Sequence, residues 1–86
     1  MKVYFLPIFV RQFSRLEFGL QQEATEKIEF FKDKKNHKQL KAHQLHGRLA
    51  KRYSFSVNYK TRIVFSYLSK NEVVLLAIGD HDVYDK

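Results

Sequence analysis

The chain has no cysteine, so neither a disulfide nor a thiolate metal site supports its fold. That composition suits a reducing, cytosolic compartment. One proline and three glycines in 86 residues leave no Pro/Gly-rich linker, and there is no internal repeat or low-complexity tract. No apolar run approaches the ~20 residues of a membrane-spanning helix. The opening Met1-Lys2-Val3-Tyr4-Phe5-Leu6-Pro7 is too short for a signal-peptide core and offers no small-residue cleavage site. The expectation is a soluble, cytoplasmic protein with no membrane partner. A glycine-rich phosphate loop, a nucleophile elbow and paired catalytic carboxylates are also missing, which excludes the enzyme classes built on them.

What is present is aromatic and basic. A chain of this length makes one domain, spanning residues 1–86. Its small core has to lean on large side chains, and eight Phe and five Tyr supply them. Sixteen Lys and Arg against nine Asp and Glu give a net charge of +7. Such a surplus on so small a domain points to a polyanionic partner, whether nucleic acid, an acidic protein or a membrane surface. The plain alternative is a solvated basic surface.

Val3 to Leu6 reads as a short strand, and Pro7 suits the first position of a helix. Phe9, Phe13 and Leu16 then recur at helical spacing, with Arg11, Gln12 and Arg15 facing away and Gly19 breaking the helix. Gln21 to Lys34 is a second helix, with Ala24, Ile28 and Phe31 as its buried stripe. Leu40 to Leu49 is a connector anchored by Leu40 and Leu45, with a turn at Gly47. From Tyr53 the period becomes two: Tyr53, Phe55 and Val57 alternate with Ser54, Ser56 and Asn58. Asn58-Tyr59-Lys60 is the hairpin tip. In the next strand Ile63, Phe65 and Tyr67 share one face, and Arg62, Val64 and Ser66 the other. Val73 to Ile78 is apolar throughout, as in a central strand covered on both faces. The expected class is α+β: an N-terminal strand and two helices packed on an antiparallel sheet that three C-terminal strands continue.

Arg62 is the first chemical candidate, since period two sends it away from the core. A guanidinium on a strand matches two phosphate oxygens at once; the competing reading is a solvated or ion-paired strand Arg. His81 and Tyr84 follow, on the exit Gly79-Asp80-His81-Asp82-Val83-Tyr84. Histidine can protonate a leaving oxygen near neutral pH, and a tyrosine can orient a nucleophile or stack on a base. Equally, Asp80 and Asp82 can cap a turn while Tyr84 anchors the terminus. Lys41, Arg48, Lys51, Arg52 and Lys60, interleaved with Tyr53 and Tyr59, form a patch suited to an RNA backbone. His37, His43, His46 and His81 fit no tetrahedral spacing, so no metal or other cofactor is expected.

Taken in order, these segments resemble the RelE/ParE toxin superfamily of type II toxin–antitoxin systems. Val3…Pro7…Phe9…Phe13…Leu16 is similar to the first strand and helix of such toxins. Leu40…His43-Gln44-Leu45-His46-Gly47 resembles their His-x-Leu-x-Gly connector, closest to the YafQ-like branch. Thr61-Arg62-Ile63-Val64-Phe65 resembles the Tyr-Arg-Leu-Val-Tyr strand, and Leu75 to Tyr84 the last strand with its Gly-x-His or Gly-x-Arg exit. The resemblance implies metal-independent cleavage of mRNA on the ribosome through a 2′,3′-cyclic phosphate. Arg62 would stabilise the phosphate charge, His81 would act as general acid, Tyr84 would stack or help activate the 2′-hydroxyl, and His43 would assist. It also implies an acidic antitoxin partner. Ser54 and Ser56 stand nearest the two strand lysines of RelE proper. Ser56 and Lys60 stand near the hairpin histidine and aspartate of the YafQ-like branch. The exit is one residue shorter between His81 and the terminal aromatic. The general base is therefore unassigned. Gyrase inhibitors of the ParE type share the scaffold, and a non-catalytic RNA-binding module is a third reading.

Overall fold

The computed structural model describes residues 1–47 and 51–80. Three residues singled out by the sequence, Arg48, His81 and Tyr84, lie outside the described residues.

The element order is β1 (Lys2–Phe5), α1 (Pro7–Ser14), α2 (Phe18–Phe31), a 3-10 turn (Lys34–Asn36), β2 (His43–Gln44), β3 (Tyr53–Ser56), β4 (Arg62–Ser69) and β5 (Glu72–Gly79). Two helices therefore pack on a five-stranded sheet of order β1-β5-β4-β3-β2. The α+β class follows the sequence expectation, and β5 lies inside the sheet between β1 and β4, although β4 is the middle strand. Two details differ. The sheet is mixed, because β1 runs parallel to β5; strand direction depends on how the intervening helices cross, which residue periodicity does not encode. The connector also supplies a two-residue edge strand, His43–Gln44, paired with Ser54 and Tyr53.

Pro7 opens α1, where its missing N–H costs nothing. The break before α2 falls at Arg15 to Glu17 rather than at Gly19, which sits inside the first turn of α2. Helix propensity is a weak prior, and Gln21 Nε2 donates to Phe13 O at 3.0 Å to tie the two helices across their junction. The second helix stops at Phe31, three residues early. Asp33 accepts from the Lys35 amide at 3.2 Å, a local bond that competes with the helical ladder.

The core lies between the helices and one sheet face. Phe31 is central to it: its ring stacks on Phe55 with centroids 4.3 Å apart, on His37 at 4.3 Å, and meets Phe65 edge-on at 4.8 Å. His37 Nε2 sits 2.8 Å from the Phe31 carbonyl, so this imidazole is a satisfied packing residue. A second, smaller cluster lies on the opposite face, where Leu45 and Val64 pack with Leu76 and Ala77. A bulge creates it. Val64 pairs with Ala77 and Phe65 with Leu75, so Leu76 is an extra residue, and Leu76 and Ala77 both escape the helix face. Beyond the end of β1, the Ile78 amide bonds to Gln12 Oε1 at 2.9 Å. Gln12 thus turns onto the sheet instead of facing away. Among the described residues no helix is long and apolar enough to cross a membrane.

Candidate nucleic-acid interface and catalytic face

Arg62 begins β4, half-buried and paired across the ladder with Ser56 on one side and Gly79 on the other. Directly opposed residues point to the same face, so the residue that starts the C-terminal exit lies beside the arginine. The hairpin tip holds the guanidinium. Nη1 donates to the carbonyl of Asn58 and, at 3.2 Å, to that of Thr61, which uses one of its three nitrogens. The tip itself is an Asx turn: Asn58 Oδ1 accepts from the amides of Lys60 at 2.9 Å and Thr61 at 2.8 Å, while its Nδ2 donates to Glu23 at 2.9 Å. Asn58 does here what an Asn-Gly pair does in tighter turns.

His43 lies on the same face as Arg62, because His43, Ser54 and Val64 oppose one another across β2, β3 and β4. Two strand spacings and one two-residue step put the two Cα atoms about 12 Å apart. The imidazole is exposed, with Nδ1 2.8 Å from the Lys41 carbonyl. A carbonyl only accepts, so Nδ1 is the donor of this bond, which leaves Nε2 unused by it. Ser54 is fully buried, and Ser56 is half-buried beside Arg62.

The expected RNA-binding patch divides in two. Lys51 and Arg52 are exposed at one end of β3, their carbonyls accepting from Ser66 Oγ at 3.2 Å and from the Leu45 amide at 2.8 Å. Lys41, Tyr59 and Lys60 gather with Arg62 at the other end, about 13 Å away along the strand. There Lys41, Tyr59 and Arg62 line a groove of 430 Å³. The groove also takes Lys27 from α2 and Gln39, neither of which the sequence marked out. Lys27 lies off the buried stripe of α2, and only the close approach of the hairpin tip to that helix, through Asn58 and Glu23, brings it to Arg62.

At the far end of β4 and β5 two titrations are displaced. Burial, then the neighbouring Tyr53, pushes the Tyr67 phenol up. Hydrogen bonds from Ser69 and then Tyr4, with the charge of Lys2, pull the Glu72 carboxyl down. No group of three His, Asp or Glu among the described residues is placed to hold a metal ion.

This arrangement of strands and helices recurs in solved structures. A copper-bound mutant toxin from Helicobacter pylori superposes with a TM-score of 0.74 at 21% identity, over 96% of this chain and 97% of that one. The YoeB–YefM complex from Staphylococcus aureus gives 0.72 at 15% identity over 94% and 97%. The RelE–RelB complex from the archaeon Pyrococcus horikoshii gives 0.70 at 12% over 92% of each chain. The chain has the RelE-like toxin fold. No protein-family model and no curated protein matches the sequence. In this RelE-like fold the exposed sheet face carries Arg62 and His43, and the hairpin tip carries the basic groove.

Proposed function

We propose that the chain is the toxin of a type II toxin–antitoxin pair, and an endoribonuclease that cuts mRNA on the ribosome in the cytoplasm. The observation that carries this reading is the pairing of Arg62 with Gly79 on the face away from the helices, with His81 two residues further along the chain. In the proposed reaction the 2′-oxygen attacks the adjacent phosphorus and the bond to the next nucleotide's 5′-oxygen breaks. A 2′,3′-cyclic phosphate and a 5′-hydroxyl result. One proton leaves the 2′-hydroxyl and one reaches the 5′-oxygen. Arg62 stabilises the charge that gathers on the phosphoryl oxygens, an interaction strongest in the transition state. His81 donates the proton to the leaving oxygen, Tyr84 stacks on a base or helps activate the nucleophile, and His43 assists proton removal through Nε2.

An acidic antitoxin is the proposed partner. The Staphylococcus aureus and Pyrococcus horikoshii neighbours were solved with theirs, and the charge of +7 favours a complementary segment that orders on binding.

The test is purified protein with ribosomes and a defined message. Cleavage in the ribosomal A site is expected. Arg62→Ala and His81→Ala should each slow it by on the order of 10²–10³-fold while the circular dichroism spectrum is retained. The antitoxin should abolish it. Undiminished cutting by both variants would overturn the mechanism. Inhibition of gyrase supercoiling without cleavage would replace it with the ParE-type reading, and RNA binding without cutting with a binding module.

A further inference from the structure

The groove at the hairpin tip is more basic than a single phosphate requires. Its cations come from three separate elements: Lys27 from α2, Lys41 from the segment before β2, and Arg62 from β4. No Asp or Glu is among its described lining residues. Its floor is apolar, formed by buried Leu40 and Val57. At its rim Tyr59 is 81% exposed, an aromatic ring in water beside a cluster of positive charge.

Lys41 is the sharpest observation. It has φ +58, the left-handed region that side chains other than Gly, Asn and Asp rarely adopt. The flanking backbone holds it there: the Ser56 amide donates to Leu40 O at 2.9 Å, and the Ala42 amide to His37 O at 2.9 Å. Glycine or asparagine would occupy this position with less strain. With the Lys41 amide donating to Lys38 O at 3.1 Å, the bond from Ala42 to His37 closes this turn as a left-handed cap does, and it fixes a lysine, rather than the usual glycine, in the lining of the groove.

We infer that this groove binds one nucleotide of a single-stranded RNA next to the one being cut. Lys27 and Lys41 take its phosphate and Tyr59 stacks on its base. Stacking is indifferent to sequence and the lysines contact only the backbone, so the site confers grip rather than base preference. A groove of 430 Å³ on a molecule 31 × 27 × 24 Å holds a splayed nucleotide, not a duplex. The choice of RNA rests on the ribonuclease reading; the anionic character of the ligand rests on the groove alone.

The experiment is fluorescence anisotropy of a labelled, unstructured hexaribonucleotide across a salt series. Lys27→Gln, Lys41→Asn and Tyr59→Ala should each weaken binding roughly tenfold. Each lysine variant should also lower the salt slope by about 0.7, the value for one single-strand phosphate. Tyr59→Phe, which keeps the ring, should bind as the native chain does. Lys41→Asn separates charge from folding, because asparagine suits φ +58 and the variant should melt no lower. Unchanged affinity and slope in Lys27→Gln and Lys41→Asn would overturn the inference even if the chain cuts mRNA. Weakened binding in those variants of a chain that cuts nothing would uphold the groove and remove the ribonuclease. Capture of a polyglutamate peptide, with no affinity for the oligoribonucleotide, would also overturn it.

Discussion

On the helix side of the sheet Phe9, Phe31, Phe55 and Phe65 are each at most 1% exposed; Phe31 stacks on Phe55, and both rings meet Phe65 at an angle. On the other side the described apolar cover is Leu45 and Val64, with Leu76 and Ala77 half-buried around them. The first face holds the chain together. The second is covered just enough to keep β4 and β5 dry at their middle, and leaves Arg62 and His43 in reach of a ligand. A sheet of five strands needs only one well-packed face to be stable, which frees the other for chemistry.

The sharpest way to break this comparison is Phe31→Ala. It removes the ring that joins α2 to β3 and β4, and should cost about 3–5 kcal/mol in urea unfolding. A loss below 1 kcal/mol would mean that the aromatic face is not the principal core. Leu45→Ala acts on the other face and should cost about 2 kcal/mol at most. A cost equal to that of Phe31→Ala would erase the distinction between the faces. Gln12→Ala tests the end of β5. It strips the Ile78 amide of its acceptor and should destabilise by about 1 kcal/mol, with a fall in cleavage rate because Gly79 follows directly. Gln12→Glu retains an acceptor and should recover most of both; equal loss in the two variants would show that the bond is incidental.

The smallest effect concerns pH. The Glu72 carboxyl is held below its usual range chiefly by the Ser69 hydroxyl, 2.9 Å away, and next by Tyr4 at 3.1 Å. A lowered folded-state value contributes stability that is present above the unfolded carboxylate range and is lost as pH falls through the folded value. Ser69→Ala should therefore raise the pH of acid unfolding slightly, and Tyr4→Phe by less, as read by circular dichroism. Neither should alter cleavage at neutral pH, because Glu72 and Arg62 lie at opposite ends of the sheet. A change in cleavage would show that the two ends are coupled.

Much of the fold was legible in advance because its signals are local. Pro7 marks a helix start, Ala24, Ile28 and Phe31 repeat at helical spacing, and Tyr53, Phe55 and Val57 alternate. Two differences between sequence and structure have a long-range cause. Locally, Gly19 reads as a breaker and Gln12 as solvated, yet Gln12 is held by Ile78 far along the chain, and the helix junction is tied by the bond from Gln21 to Phe13. The bulge at Leu76 was invisible for the same reason, since an apolar run carries no phase.

The amino-acid order alone determined that this chain makes two amphipathic helices and alternating aromatic strands, that it is strongly cationic, and that Arg62 points away from the core. Those properties depend on neighbours within a few residues and on composition. Tertiary structure alone decided that β1 runs parallel to β5, that the basic residues part into two clusters, and that Lys27 and Lys41 meet Arg62 in one groove. Each of these is a contact between segments remote in the chain, set by how the elements pack, and no periodicity within a segment reports it.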